Sequence, residues 1–164
     1  LDTYLPNNLD YNHPHTAVGQ GEVKVSPIQM AELISAIANG GVAMELYLTD
    51  YISNSEGRTI KKFTPEIKGK YLETSEAKLL TEYMEEVVKT GTATRLLSDK
   101  FTAAGKTGTA QNKEGSKAHS WFVGFANTDK AEIAVTIILE NAGSSSKNAV
   151  PIAKDIFKTY FNSK

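Results

Sequence analysis

The sequence contains no cysteine, which excludes disulfide bonds, thiol nucleophiles and thiolate metal sites. Long apolar runs are also missing, because the longest, from Ile133 to Leu139, falls far below the roughly 20 residues that cross a bilayer. Neither sign of charge dominates, since 18 basic and 19 acidic residues give a net charge of −1. Basic residues are not clustered with aromatics, which argues against a nucleic-acid partner. What remains is typical of a globular chain, with 40% hydrophobic and 23% charged residues.

The first 25 residues are rich in Pro, Asn, Asp and His, and we predict an irregular lead-in there. Ser26, Pro27 and Gln29 then form the pattern of a capped helix start, and Gly40-Gly41 can end that helix. Because the chain begins at Leu1 rather than at a methionine, we interpret it as a piece of a longer protein.

Two further segments have the apolar periodicity of helices. One runs from about Ser75, its expected N-cap, to Lys89, and Gly91 closes it. The other begins after a polar turn over residues 143–147 that we expect to be flexible, and its apolar face extends from Ala149 to Phe161.

The remaining segments favour β-structure. Residues 46–64 predict a hairpin, with a turn over 54–57. Three extended segments follow the second helix, over 101–111, 120–126 and 132–140. Short loops between successive strands imply antiparallel pairing, and the helices need a sheet to cover. The predicted class is therefore α+β, an antiparallel sheet covered by helices, with residues 1–164 as one unit.

The pentapeptide Lys-Thr-Gly-Thr-Ala occurs twice, at residues 89–93 and 106–110. Lys89 ends a predicted helix, where a cation complements the carbonyl end of the helix dipole, so a structural reason suffices for this copy. The second copy follows Ala103-Ala104-Gly105 and enters an extended segment in which we see no packing reason for small residues.

The chemistry of the second copy suits an anionic peptide. Gly108 allows a ligand to approach the main chain, as when a peptide is added to a sheet edge. The hydroxyls of Thr107 and Thr109 can bind a carboxylate, and Lys106 adds a positive charge. We predict a substrate-binding strand at Lys106, Thr107, Gly108 and Thr109.

These residues resemble the third motif of penicillin-binding proteins and serine β-lactamases. The likeness extends to the segments around Gly19-Gln20-Gly21-Glu22 and Ser26-Pro27-Ile28-Gln29-Met30, and to Trp121-Phe122-Val123-Gly124-Phe125. From about residue 16 onward the chain is similar, in order, to the C-terminal half of a class B transpeptidase domain.

The resemblance implies serine acyl transfer: cross-linking of cell-wall stem peptides, and acylation by β-lactams. In that scheme Lys106 polarises the site, Thr107 and Thr109 hold the carboxylate, and the backbone N–H of Thr109 forms half of an oxyanion hole. The parent would be anchored on the extracytoplasmic face of a bacterial membrane, where a glycan polymerase works beside it. No metal or cofactor is implied.

The resemblance also implies that the nucleophile lies outside this chain, because Ser-x-x-Lys should precede residue 19 and does not. Ser75 to Lys78 and Ser144 to Lys147 match by letter but stand elsewhere, so we assign them no catalysis. The isolated chain should then be inactive and should need the missing N-terminal half as a partner.

Three alternatives stay open. The parent could be a β-lactam sensor or a non-catalytic homologue, or, less in keeping with the Gly19–Glu22 segment, a β-lactamase.

His13-Pro14-His15 is more typical of a surface loop than of a metal site, and the lone His119 is more typical of a structural role. Trp121, Phe122 and Phe125 are expected in the core.

One physical expectation concerns the sheet. In the family it continues into strands from the absent half, so residues 133–139 should have an unpaired apolar flank. Such an edge invites pairing with another chain, and we expect dimerisation, aggregation or a co-purifying N-terminal half.

Overall fold

The computed structural model describes residues 23–111 and 115–164, together with Pro14 and Gly19. The predicted irregular lead-in over residues 1–25 lies almost entirely outside the described residues, as does most of the Gly19–Glu22 segment. The described elements, in chain order, are helix α1 (Pro27–Ala38), strands β1 (Val42–Met44), β2 (Tyr51–Ser53), β3 (Thr59–Lys62) and β4 (Ile67–Lys70), helix α2 (Thr74–Lys89), a 3-10 turn (Thr94–Leu96), strands β5 (Ala103–Ala110), β6 (His119–Ala126) and β7 (Ile133–Leu139), and helix α3 (Ala149–Asn162).

Helix α1 begins and ends as its sequence predicts. The Ser26 hydroxyl accepts from the Gln29 backbone N–H at 3.3 Å, and the Gln29 side chain accepts from the Ser26 N–H at 2.8 Å. Gly40 and Gly41 follow the helix with φ of 66° and 97°, values that favour glycine. The capping-box prediction is confirmed.

The start of α2 differs from the prediction. Its N-cap is Glu73 and not Ser75, and the Glu73 N–H donates to the Glu76 carboxylate at 2.7 Å. Ser75 lies exposed in the first turn. The helix ends at Lys89 with Thr90 as its C-cap, one residue before the predicted Gly91. The carboxylate of a glutamate at the third helical position can accept a hydrogen bond from the backbone N–H of the cap residue, whatever side chain the cap carries. Glu73 can therefore serve as the N-cap.

The hairpin predicted over residues 46–64 forms from β2 and β3, but its first strand begins at Tyr51 rather than at residue 46. Leu48 is fully exposed, so its side chain contributes no packing that would extend the strand over it. Strands β1 and β4 form a second antiparallel pair around the hairpin, which the sequence did not predict.

The central sheet has the order β5-β6-β7, and both pairings are antiparallel. The α+β class is confirmed. Within the described residues, β5 and β7 are the two edge strands of this sheet, and β7 is apolar along most of its length.

Two hydrophobic clusters cover the sheet. Helix α3 packs Val150, Ala153 and Phe157 against Phe122 on one face. Helix α1 packs Ile34 and Ile37 with Phe125 on the other. Helix α2 contributes Val88 to the first cluster and Met84 to the second, so it lies at the β5 border of the sheet, where the two faces meet.

Small residues at the start of β5 have a packing reason after all. Ala103 and Ala104 are buried, and a Cβ added to Gly105 would lie 2.5 Å from the Phe122 ring. Gly124, paired with Gly105, leaves room for the same ring. The expectation that the small residues here have no packing reason is therefore wrong for 103–105, because Phe122 fills the space above the glycine pair.

Candidate functional site

The four predicted binding residues lie on β5, and the strand divides them between two faces. Side chains alternate along a strand, and Lys106 is paired with Val123, with which it lines a groove on the α1 side. Gly108 shares that side. Thr107 is paired with Phe122 and faces the α3 side, as does Thr109.

Lys106 is exposed, and its Nζ donates to the Thr107 carbonyl at 2.8 Å. The groove beside it encloses about 310 Å³. Apart from Lys106 and Tyr83, its walls are aliphatic side chains of α1, α2 and β6: Met30, Leu33, Ile34, Ile37, Leu80, Met84, Val87 and Val123. A lysine ammonium therefore stands at the rim of an apolar surface.

The two copies of Lys-Thr-Gly-Thr-Ala meet in space. Lys89 of the first copy pairs with Glu85 at 2.8 Å, and this hydrogen bond holds the pKa of Glu85 below its ordinary value. Thr92 also belongs to the first copy, and its hydroxyl lies 2.5 Å from the Thr107 hydroxyl of the second copy. The first copy is thus a helix end, as predicted, and also a contact of the second copy.

Ser145 contacts the other half of the motif. Its hydroxyl donates to the Gly108 carbonyl and lies 3.1 Å from the Thr109 hydroxyl. Ser145 is only 2% exposed, although it belongs to the turn that we predicted to be flexible.

Hydrogen bonds fix that turn instead. The Asn148 side-chain amide donates to the Ala142 and Ser144 carbonyls, each at 2.9 Å, and the Val150 N–H donates to the Ser145 carbonyl at 3.0 Å. Asn148 occupies the N-cap position of α3, but its side chain binds the preceding loop rather than the first helical turn. The flexible-turn prediction is wrong because the start of α3 is anchored in the core.

Comparison with known proteins identifies this arrangement. The family model for the penicillin-binding protein transpeptidase domain matches residues 3–158. The chain belongs to that family. The resemblance found in the sequence is confirmed, and the three-stranded sheet with Lys106 on its edge strand is part of a transpeptidase fold.

Relatives and solved structures agree with the family assignment. Peptidoglycan D,D-transpeptidase MrdA of Haemophilus influenzae is 30% identical over 88% of this chain, and stage V sporulation protein D of Bacillus subtilis is 33% identical over 77%. Penicillin-binding protein A of Mycobacterium tuberculosis, solved as a ceftriaxone acyl-enzyme complex, superposes with a TM-score of 0.82 at 26% identity over 87% of this chain. The chain spans 25% of MrdA, 20% of the sporulation protein and 34% of the solved chain.

The two serines that match Ser-x-x-Lys only by letter lie in the first turn of α2 and in the loop before α3. Ser75 is in the first turn of α2, and Ser144 is exposed, with its hydroxyl 3.0 Å from that of Ser146. His119 accepts a hydrogen bond from the Asn141 N–H at 3.0 Å, a structural role. Phe122 and Phe125 are fully buried as expected, whereas Trp121 is only half-buried, beside Gly108.

Two other predictions can be compared with the described residues only. His13 and His15 lie outside them, and the described part of the chain holds no group of three or more His, Cys, Asp or Glu suited to a metal ion. Over the same residues, no helix combines the length and apolar character that crossing a bilayer requires.

Sequence reasoning missed two residues that touch the motif of this transpeptidase segment. Thr92 carried a signal, since the repeated pentapeptide drew attention to it, but only the turn after α2 brings it to β5. Ser145 carried none, because a serine in a Gly-Ser stretch is typical of an exposed turn.

Proposed function

We propose that this chain is the substrate-binding part of a peptidoglycan D,D-transpeptidase, which cross-links stem peptides by serine acyl transfer and is acylated by β-lactams. Its relatives are named peptidoglycan D,D-transpeptidases. Mycobacterial penicillin-binding protein A, a structural neighbour, is solved as ceftriaxone, imipenem and penicillin G acyl-enzymes.

One observation carries the proposal: Lys106 stands exposed on an edge strand beside an apolar groove, within a chain of this family. An extended peptide can align along such an edge through main-chain hydrogen bonds. The Lys106 ammonium then supplies the charge that attracts an anionic peptide terminus or a β-lactam carboxylate, and Thr107 and Thr109 supply hydroxyls.

The backbone N–H of Thr109 is proposed as one donor of the oxyanion hole. A peptide N–H can stabilise the negative oxygen that develops when the carbonyl carbon becomes tetrahedral. Removing one such donor in other acyl-transfer enzymes costs on the order of 100- to 1,000-fold in rate. Because the donor is backbone, the groups that orient its peptide plane control it.

The nucleophile is assigned to the part of the transpeptidase outside this chain. The groove beside Lys106 is lined almost wholly by apolar side chains, and exposed apolar residues continue along α1 and α2, with Leu33 40% and Tyr83 62% exposed. Docking of the preceding half of the domain would bury this surface and place its serine opposite Lys106. The whole protein, of class B, would be anchored at the outer face of the membrane, with a glycan polymerase as neighbour.

The test compares Lys106→Met with Lys89→Met in a protein that carries the whole transpeptidase domain. Loss of the Lys106 charge should slow covalent labelling by a fluorescent penicillin on the order of 10- to 100-fold, as expected for hydrogen bonds to charged groups. Lys89 is the corresponding lysine in the other copy of the pentapeptide, but it is paired with Glu85. The Lys89→Met protein should therefore label at the wild-type rate. Equal labelling of the Lys106 variant would refute the proposed site.

The chain alone should not label, because the nucleophilic serine is assigned to the part of the domain outside it. Stable acylation of the isolated chain by penicillin would overturn the assignment of the nucleophile. Release of D-alanine with cross-linking by the longer protein would separate a transpeptidase from a sensor, which acylates without transferring.

A further inference from the structure

Ser145 is one of two buried polar residues in the described part of the chain, and its hydroxyl is directed at the motif strand. A carbonyl oxygen can only accept, so the Ser145 proton is committed to the Gly108 carbonyl. The Thr109 hydroxyl, 3.1 Å from the Ser145 oxygen, is then the donor of that second bond whenever no ligand carboxylate takes its proton. A directed chain results, from Thr109 to Ser145 to the Gly108 carbonyl.

The Gly108 carbonyl and the Thr109 N–H belong to the same peptide unit. This unit is planar, and its C=O and N–H point in opposite directions when it is trans. A donor that holds the carbonyl on the Ser145 side therefore directs the Thr109 N–H away from Ser145. The same hydrogen bond also polarises the amide and so strengthens its N–H as a donor.

Gly108 gives such a support a role. The peptide after Gly108 already lies within the β5–β6 pairing, but glycine restricts its backbone less than any other residue, so a further contact from Ser145 helps to hold its orientation. Ser145 is suited to provide one, because the loop that carries it is bonded to Asn148 and precedes the buried residues Ala149 and Val150.

We propose that Ser145 is a positioning residue for the oxyanion-hole N–H of Thr109. It touches neither the substrate nor the reacting atoms, and it acts by fixing the Gly108–Thr109 peptide plane from the α3 side of the sheet. This inference rests on the proposed function, which makes that N–H a catalytic donor.

The test uses a protein with the whole transpeptidase domain and measures penicillin acylation under single-turnover conditions. Three quantities are separated: the dissociation constant of the first complex, the acylation rate constant and the labelled fraction of the protein. Ser145→Ala should lower the acylation rate constant about 3- to 10-fold, the range expected from one neutral hydrogen bond. Its dissociation constant and labelled fraction should stay as in the wild type.

Two variants make the result specific. Ser145→Cys keeps a donor at the same side-chain position, but one that is slightly larger and weaker, so its acylation rate constant should fall between those of wild type and Ser145→Ala. Ser144→Ala removes the exposed neighbouring hydroxyl and should change nothing.

The outcomes separate the two proposals. If Ser145→Ala lowers only the labelled fraction, or if its acylation rate constant equals that of the wild type, Ser145 is merely structural and this inference fails. If the wild-type protein itself is not acylated, the proposed function fails instead.

Discussion

At the scale of single residues, Thr92 is the contact that couples the helix end at Lys89 to the motif strand. Its hydroxyl lies 2.5 Å from that of Thr107, one of the two hydroxyls proposed to hold the ligand carboxylate. Thr92→Val keeps the side-chain shape and removes the hydroxyl. We expect the dissociation constant for a β-lactam to rise about 2- to 10-fold, because the Thr107 hydroxyl loses the partner that orients it.

Thr90 offers the matched control. It belongs to the same pentapeptide, but its hydroxyl bonds to the Glu86 carbonyl and carboxylate within α2. Thr90→Val should therefore leave β-lactam binding unchanged in the same equilibrium titration. An effect of Thr90→Val equal to that of Thr92→Val would show that helix stability, and not the contact with Thr107, is responsible.

Single residues also mark the limit of sequence reasoning. Lys106 to Thr109 could be found because four consecutive residues combine a charge, two hydroxyls and a glycine. Thr92 and Ser145 reach those residues from 15 and 37 positions away, and hydrogen bonds across such separations depend on how α2 and α3 pack. Nothing in the local sequence specifies that packing.

At the scale of elements, the pairing of Gly105 with Gly124 leaves the space on β5 and β6 that the Phe122 ring occupies. A Cβ at Gly105 would lie 2.5 Å from this fully buried ring and 3.2 Å from the Val123 carbonyl. Gly105→Ala should destabilise the protein by about 1–3 kcal/mol, the usual cost of overpacking a core. Urea unfolding followed by tryptophan fluorescence measures the loss.

Gly69 is the control for this substitution. It is also a strand glycine, but a Cβ there would meet nothing within 4 Å. Gly69→Ala should leave the free energy of unfolding unchanged or slightly higher, since alanine restricts the unfolded chain. If the two variants were equally stable, close packing by Phe122 would not be the reason for glycine at 105.

Another element-scale contact joins α1 to the outer strands through charge. Lys68 donates to the Glu32 carboxylate at 2.7 Å, and this hydrogen bond, with one from the Tyr71 hydroxyl, holds the pKa of Glu32 below its ordinary value. Because the pKa of Glu32 is lower in the folded state, the pair stabilises the fold fully at pH values above the unfolded-state pKa of Glu32. That stability is lost as the pH falls through the folded-state pKa.

Glu32→Gln should therefore lower the melting temperature at neutral pH, and the difference from wild type should shrink as the pH falls below the ordinary range of a glutamate. Lys68→Met should show the same trend with a smaller effect, because the Tyr71 hydroxyl still donates to Glu32. The double variant should cost no more than Glu32→Gln alone, which already removes the interaction with Lys68. Melting curves recorded from neutral to acidic pH test this. A difference that stayed constant with pH would exclude the ion pair as its cause.

Elements were predictable where their signals are local. The Ser26 capping box, the glycines after α1 and the extended segments of the central sheet are all confirmed. The predicted start of α2 is too late because Ser75 belongs to a common cap type, whereas Glu73 and Glu76 satisfy the helix start. Composition predicts a flexible turn before α3, but it carries no information on the contacts with β5 that bury Ser145.

At the scale of the whole molecule, two apolar surfaces remain open among the described residues: the groove between α1 and α2, and the outer edge of β7. A groove of about 310 Å³ with nearly all-apolar walls is unusual for a surface that stays in water. An apolar edge strand is equally prone to pair with another chain. We propose that the preceding part of the transpeptidase domain covers both surfaces.

The isolated chain should therefore self-associate across the micromolar range, which sedimentation velocity measures directly. Co-expression with the preceding half of the domain should replace the self-associated species by a one-to-one complex, because that half would cover both surfaces. Leu33→Glu places a charge in the groove and should weaken this complex, whereas Ile60→Glu, on the exposed strand β3, should not. A monodisperse monomer of the isolated chain, indifferent to the added half, would mean that neither surface is an interface.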